Sequence, residues 1–488
     1  MKESGQKNYI SLPEEFSERM KRRLGQEWEA FLEACSLPPK RGLRLNLQKV
    51  EANPDFPLEK WKENWKLEEL IKDSAREYLC DEGYLQSIGV QIGHDAYHEA
   101  GLYYIQDPSA MSVVPYMELR PFDRCLDLCA SPGGKSLQMA DRLKTEEGGI
   151  LLSNEFIMER AKNLSQNVER MGYSHVAVSS CSAEKLEECF PAFFSRILVD
   201  APCSGEGMFR KNPEAIADWS PEKVRQCADL QRDILSHALG MLREGGLLAY
   251  STCTFSEEEN EGMRDWILEK QQDLSFLGER HLYFHNSVGE GQYFALFRKQ
   301  GNDLKREDVH TLKPSMLWEK RAKKYFYYPS SLKCFLSLPL LRIGIAVLEE
   351  GKKGWEWSHS LSHAIDFSKW GEAFTKLPEK SVDIKLLYRL FLSREDGRVE
   401  AYLNGQEIPV EKEELKKLEI ILHQEEKKDV GNDQGKNKSK SKKLGKAKSN
   451  DSDKGLAFCI CDGFPLGFGY YRNGRLRNLY PKGIRFKK

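Results

Sequence analysis

Between Cys125 and Phe297, short apolar runs alternate with amphipathic segments. This alternation constrains the fold more than any other feature of the 488-residue chain. Cys125-Leu126-Asp127-Leu128, Gly149–Ser153, Val176–Val178, Ile197–Asp200 and Leu247–Tyr250 are short and apolar enough to be strands buried on both faces. Helical patterns lie between them, over Ser136–Leu143, Met158–Met171 and Pro221–Leu242. Strand–helix alternation at this spacing predicts an α/β fold, a parallel sheet covered by helices on both faces. Ligands of such sheets bind at the carboxyl ends of the strands. The residues just after each run are therefore the ones to search.

The remaining chain is organised differently. Glu14 to Asp107 reads as helical and charged, with Lys40-Arg41-Gly42-Leu43-Arg44-Leu45-Asn46 inside it. Lys299 to Lys380 is less regular, and Leu386–Leu422 and Gly455–Phe486 read as short strands joined by turns. A low-complexity insert at 425–454, lysine-rich, separates those last two stretches and lacks the apolar surface to order itself. Its lysines suit either a solvated linker or an arm contacting RNA phosphates. The domain boundaries expected are 1–103, 104–300, 301–385 and 386–488. Lys+Arg (74) and Asp+Glu (75) nearly cancel, so any basic surface must be local. The first ten residues have no apolar core and no run approaches the ~18 residues of a membrane span, so a cytoplasmic protein without membrane contact is expected. Twelve cysteines without a Cys-x-x-Cys pair read as reduced thiols, not as disulfides or a metal site.

Cys129-Ala130-Ser131-Pro132-Gly133-Gly134-Lys135 joins the first strand to a helix. Its glycines allow close backbone approach to a ligand, and the helix adds a positive dipole end. A phosphate loop would need glycine at Cys129, and Gly-x-Gly-x-x-Gly is also missing. The second strand ends in Ser153-Asn154-Glu155, where an acid can accept bonds from both hydroxyls of a ribose. The same acid could simply cap the next helix. Taken with the first turn, it points to a nucleoside cofactor without pyrophosphate, and S-adenosylmethionine fits best.

Two further strands end in thiols: Ile197–Asp200 runs into Ala201-Pro202-Cys203-Ser204-Gly205, and Leu247–Tyr250 into Ser251-Thr252-Cys253-Thr254. A single buried cysteine is usually a small hydrophobe. Two at strand ends, with Asp200 between them and the cofactor turn, suggest chemistry. Carbon 5 of cytosine is too weak a nucleophile to attack a sulfonium methyl. Thiolate addition at carbon 6 makes it an enamine-like carbon that can, and a carboxyl at the ring's N3 and amino edge would stabilise the developing charge. The attacking thiol, ionising at about 8.5 when free, needs an electropositive pocket, to which the sulfonium and Lys135 could contribute.

These motifs resemble the Sun (nucleolar Nop-type) family of RNA cytosine-5 methyltransferases, and within it the bacterial ribosomal small-subunit methyltransferase F type. The resemblance rests on Tyr104–Ser109, Cys129–Lys135, Asp200–Gly205 and Ser251–Thr254, and more weakly on Arg41–Asn46, Gly463–Gly469 and Asn478–Gly483. It implies a Rossmann-like class I methyltransferase domain, an N-terminal RNA-binding subdomain and a C-terminal PUA-like domain. It also implies Cys253 as nucleophile, Cys203 as the residue that helps release product, and Asp200 touching both cofactor and base. Cys129–Lys135 would hold the methionine part of S-adenosylmethionine and Glu155 its ribose. The chain departs from the family at Ser179–Ala183, where relatives carry an acid near the adenine and Ser182 could accept a weaker bond. It departs again at His285–Gln292, in place of His-Lys-x-x-Gly-Glu-Gly-His.

The expected function is thus cytosine-5 methylation of ribosomal RNA by a monomer, with ribosomal RNA or the small subunit as partner and the target base flipped out. RNA grip is expected from Arg41 and Arg44 and from the Arg472–Lys488 tail, where Tyr470 and Tyr471 read as core. A transfer RNA substrate, or a non-catalytic RNA-binding assembly factor, would share most of these motifs.

Overall fold

The computed structural model describes residues 10–70, 83–86, 92–309, 315–352, 354–365, 387–417 and 454–486. The lysine-rich insert falls outside them, apart from Lys454. The architecture centres on an eight-stranded sheet whose strands are, in chain order, β1 (Arg124–Asp127), β2 (Ile150–Asn154), β3 (Val176–Ser179), β4 (Phe194–Asp200), β5 (Leu242–Thr252), β6 (Leu274–Leu282), β7 (Gln292–Lys299) and β8 (Leu340–Ile343). Their spatial order is β6-β7-β5-β4-β1-β2-β3-β8. Strands β1 to β5 run parallel, while β7 pairs antiparallel with β5 and β6, and β8 antiparallel with β3. The expected parallel sheet is thus formed by β1 to β5, and antiparallel strands at its two edges make the whole sheet mixed. The crossover helices that parallel pairing demands occupy only its first five strands.

Residue alternation explains why both faces are covered. Ile197, Val199, Leu248 and Tyr250 point into one buried core, and Leu198, Leu247 and Ala249 into another on the opposite face. Helix α1 (Gly134–Arg142) follows β1 and α2 (Met158–Met171) follows β2. The second buries Ala161, Leu164, Val168 and Met171, one stripe at helical spacing. Helix α3 (Ala183–Cys189) follows β3, α4 (Pro221–Met241) leads into β5, and α5 (Glu261–Lys270) follows it. Helix α4 starts on Ser220, whose side chain accepts from the Lys223 amide at 3.1 Å, with proline at the first turn. Its buried stripe contains one polar residue, Gln231.

Strands replace part of what the charged N-terminal pattern suggested. Gly42–Leu45, Leu67–Glu69, Gly83–Gln86 and Tyr103–Gln106 form a four-stranded antiparallel sheet, and the last strand straddles the expected boundary at 103/104. The less regular region likewise holds a four-stranded sheet (Met316–Arg321, Lys324–Pro329, Ile345–Gly351, Gly354–Trp357) and sends β8 into the central one. A six-stranded sheet closes the chain and packs on the N-terminal sheet through one shared core containing Trp61, Tyr97, Tyr103, Leu390, Phe464 and Tyr480. Tyr97 donates to Asp462 at 2.8 Å and Tyr480 to Glu99 at 2.6 Å across that junction. Helices Glu14–Leu24 and Trp28–Cys35 pack Phe16 and Phe31 against Phe209, Trp219 and Phe255, directly behind the loop that follows β5. No helix among the described residues is long and apolar enough to cross a membrane.

Candidate active site

The chain lays down β1, β2 and β3 outward in one direction, then returns to place β4 and β5 on the other side of β1. That reversal opens a crevice at the carboxyl ends of the strands. The turn after β1 forms one half of the site. Its Ala130 amide donates to the Asn154 carbonyl at 2.8 Å, and the Asn167 side chain donates to the Pro132 carbonyl at 2.8 Å. Gly133 has φ +118°, a conformation closed to other residues at little cost, and a side chain at Gly134 would press on Gln106. Asn154 ties three strand ends together. Its amide donates to the carbonyls of Leu128 (3.2 Å) and Cys181 (3.0 Å), and its oxygen accepts from the Ser179 hydroxyl (2.8 Å) and the Cys181 amide (3.0 Å).

Three acids line this half. Asp127 is buried, accepts a 2.5 Å bond from the Ser136 hydroxyl on one oxygen, and has no partner on the other; burial pushes its carboxyl up to about 7. Glu155 is buried at the end of β2; one oxygen accepts from the Ile157 amide at 3.0 Å and the other lies 3.5 Å from Arg160. It does not cap α2, whose N-cap residue Ile157 has no side-chain cap bond. Asp200, at the end of β4, accepts from the Lys135 ammonium at 2.7 Å and the Ser251 hydroxyl at 2.6 Å. Lys135 is thus engaged by Asp200, not by a thiol. Ser182, which stands near where relatives carry an acid beside the adenine, accepts from the Lys185 amide at 3.2 Å and caps α3.

The loops after β4 and β5 form the other half. The sulfurs of Cys203 and Cys253 lie 3.4 Å apart, within hydrogen-bonding range for thiols. The hydrogen bond it makes to Cys253, ahead of burial, holds the Cys203 thiol well above its usual range. Behind the thiols, Gly207 donates to the Cys253 carbonyl at 2.8 Å and passes so close to Gly291 that a side chain on Gly207 would sit 2.7 Å from its Cα. The divergent stretch His285–Gln292 is therefore packed onto the thiol loop. Its Glu290 forms a buried bidentate pair with Arg210 at 2.9 and 3.0 Å, and the Glu290 amide donates to Asp107 at 3.1 Å.

Some residues the sequence reading did not single out belong here: Asp127, Asn154, Ser251, Gln231 and Glu259. Only Asp127 carried a signal, an acid interrupting an apolar strand. Arg44 is the converse case. It is fully buried, donating to Gln106 at 3.2 Å and to the Gly134 carbonyl at 3.4 Å, and is closed to the RNA it was expected to grip. Strand periodicity explains this, because Leu43 and Arg44 lie on opposite faces of a strand that is covered on both. Arg41, just before the strand, is exposed. Tyr471 is core, as expected, whereas its neighbour Tyr470 is 37% exposed.

A mixed sheet with this strand order, a glycine turn after β1 and an acid after β2 define a Rossmann-like methyltransferase. The chain matches the family described as 16S rRNA methyltransferase RsmB/F over residues 114–302, the N-terminal domain of 16S rRNA methyltransferase RsmF over 12–108 and the methyltransferase RsmF PUA domain over 445–486. Ribosomal RNA small subunit methyltransferase F of Aliivibrio fischeri (strain ATCC 700601 / ES114) is 30% identical over 410 residues, 73% of this chain and 85% of that protein. Its counterpart in Escherichia coli O139:H28 is 29% identical over 427 residues, covering 76% and 87%. The crystal structure of a methyltransferase homolog protein from Pyrococcus horikoshii is 25% identical, with a TM-score of 0.50 over 59% of this chain and 95% of that one. The structure of NSun6 from Pyrococcus horikoshii with SFG, at 19% identity and a TM-score of 0.51 over 59% and 99%, shares the fold. The chain belongs to the 16S rRNA methyltransferase RsmB/F family.

Proposed function

We propose that this protein methylates carbon 5 of a cytosine in small-subunit ribosomal RNA, using S-adenosylmethionine and a transient covalent bond to Cys253, in the cytoplasm. The observation that carries the reading is the 3.4 Å thiol pair beside Asp200. Such a pair serves cytosine-5 chemistry, and exocyclic-amine methylation has no use for it.

The residues of the cofactor half fit the proposed ligand. The unpartnered Asp127 oxygen suits an ammonium group, Cys129–Lys135 a methionine moiety, and Glu155 a pair of ribose hydroxyls. When bound, S-adenosylmethionine supplies the electrophilic methyl group. NSun6 from Pyrococcus horikoshii, which shares the fold, was solved with SFG.

Cys253, as thiolate, adds to carbon 6, its lone pair becoming the new S–C6 bond, and the displaced C5=C6 pair would form the bond from carbon 5 to the methyl group, whose old bonding pair would stay with the donor's sulfur. The Asp200–Lys135 pair faces the ring's N3 and amino edge, where the ammonium offsets the negative charge that addition creates. Bonding to carbon removes the Cys253 charge and the hydrogen bond that held the Cys203 proton, so Cys203 can lose it to solvent. Cys203 then takes the carbon-5 proton, the C5–H electrons restore the C5=C6 bond, and the S–C6 bond breaks to return the Cys253 thiolate. One proton leaves per methyl transferred.

RNA reaches this site across two surfaces. A groove of about 390 Å³ beside the N-terminal sheet is lined by Lys40, Arg41, Ile105, Asp107 and Lys211, and Lys211 bonds Asp107 at 2.6 Å next to the Glu290 loop. On the C-terminal sheet Tyr470, Arg472, Arg475 and Arg477 are exposed, with Tyr470 opposite Arg477 and Arg472 opposite Arg475 on neighbouring strands. Cations with an exposed ring suit a phosphate backbone and an unstacked base.

The test pairs two variants. Cys253→Ala should lose methylation by at least about a thousandfold and form no RNA adduct, while Cys203→Ala should retain the RNA as an adduct that survives denaturing gels. Bisulfite sequencing of ribosomal RNA from cells with and without the protein locates the base. An adduct that persists without Cys253, or a protein active without either thiol, would falsify the proposal.

A further inference from the structure

Beneath the two thiol loops lies a buried carboxyl that the chemistry above does not use. Glu259, the last acid of Glu257-Glu258-Glu259, has no exposed surface and burial pushes its carboxyl up to about 7. One oxygen accepts from the Ser204 amide at 3.0 Å and from the Gln231 side chain at 2.9 Å; the other accepts from the Ser204 hydroxyl. Gln231 also donates to the Pro202 carbonyl at 2.9 Å and accepts from the Tyr250 hydroxyl at 3.0 Å, and that hydroxyl reaches the Glu259 carbonyl at 2.6 Å. Residues 202 and 204 are therefore both pinned, so residue 203 between them is held from either side. The Ser204 and Thr254 hydroxyls share a 2.8 Å bond, which ties the residue after Cys203 to the residue after Cys253.

We infer that Glu259 is a positioning residue that sets Cys203 against Cys253, and so governs release of the methylated base more than formation of the adduct. The geometry favours release because every bond of the Glu259 side chain goes to the Cys203 loop or to Gln231, which grips the same loop; the links toward the Cys253 side, from Ser204 to Thr254 and from Tyr250 on β5 to Gln231 and the Glu259 carbonyl, do not involve the carboxyl. Cys253 itself is the residue just after β5, and no bond of the Glu259 side chain reaches it. A carboxyl with merely a packing role would brace both loops alike.

The inference rests on the covalent mechanism proposed above, and its test separates the two. Full-length wild type, Cys203→Ala, Glu259→Gln and Ser204→Ala are each incubated with S-adenosylmethionine and ribosomal RNA from cells lacking the protein. Adduct formation and its decay are followed on denaturing gels. Glu259→Gln should form adduct within about threefold of wild type and release it at least about tenfold more slowly, since small displacements of a reacting group cost one to two orders of magnitude in rate. Ser204→Ala, which leaves the carboxyl in place, should slow release by a smaller factor and decides the matter if Glu259→Gln does not fold. Wild-type release in both variants, or equal loss of formation and release, overturns the inference while Cys203→Ala still accumulates adduct. Failure of Cys203→Ala to accumulate adduct overturns the covalent mechanism itself.

Discussion

The two halves of the site are held by different means. On the cofactor side, the turn after β1 is fastened through its own backbone groups, which bond Asn154, Asn167 and Arg44, and the four bonds of the Asn154 side chain span the ends of β1, β2 and β3. On the thiol side, a chain of buried side chains, Gln231, Glu259, Ser204, Thr254 and Tyr250, does the holding. Each half contains one buried carboxyl that burial pushes up to about 7, Asp127 and Glu259, but the two are differently occupied. Asp127 keeps an oxygen without a partner, whereas both oxygens of Glu259 accept hydrogen bonds from protein groups. An unmet acceptor beside a glycine turn suits a site that receives a ligand. A saturated one suits a fixed scaffold for groups that must stay in register.

The contrast breaks most sharply at Asn154. Asn154→Ala should lower stability by about 2–4 kcal/mol, because it strands buried groups on three loops, and the loss is read as a shift in the denaturation midpoint. A loss under about 0.5 kcal/mol would mean that the other bonds to the cofactor turn, from Asn167 and Arg44 among them, suffice to hold it. Next in size, Glu155→Ala should weaken S-adenosylmethionine binding by about 10- to 100-fold in calorimetry, the worth of one or two hydrogen bonds to a charged group. Unchanged affinity would restrict Glu155 to holding the Ile157 amide ahead of α2.

The buried carboxyls sharpen the comparison through pH. The folded-state value of Glu259, about 7, lies above the ordinary glutamate range. Its stabilising contribution is therefore full below the unfolded value, and it is lost as pH rises through the folded one. Between pH 6 and pH 8.5, wild type should lose about 1 kcal/mol relative to Glu259→Gln, measured as the difference between their unfolding free energies. Taking the difference removes groups common to both proteins, including buried Lys49, whose ammonium burial pushes down to about 7 with the opposite sign. A flat difference would mean that Glu259 is ionised throughout. The smallest effect belongs to the surface. Arg41→Ala should weaken RNA binding by about two- to threefold and flatten its salt dependence, with no change in melting temperature. If the salt dependence is unaltered, the groove beside the N-terminal sheet is not an RNA path.

Much of this was legible in the chain. The strands of the central sheet up to β5 and three of its helices follow from apolar periodicity, and their ends point to Gly133, Glu155, Asp200, Cys203 and Cys253. The N-terminal sheet was not legible, because its strands have four residues or fewer and lie among charged helices. Glu259 was hidden for another reason. In Glu257-Glu258-Glu259-Asn260-Glu261 it looks like any member of a solvated acidic run. Arg44 misled in the reverse sense, since a basic residue in a basic stretch reads as surface until both faces of its strand prove covered.

The sequence by itself determined which segments become strands and helices and which residues stand at their ends, because periodicity and turn chemistry act over a few neighbours. Tertiary structure decided which of those ends meet. It brought two sulfurs fifty positions apart to 3.4 Å and set an acid from the following loop beneath one of them. It also drew β8 into the central sheet from a region that looked irregular. Such choices depend on which faces leave water together and which buried polar groups find partners. Both are sums over the whole molecule, and no local window contains them.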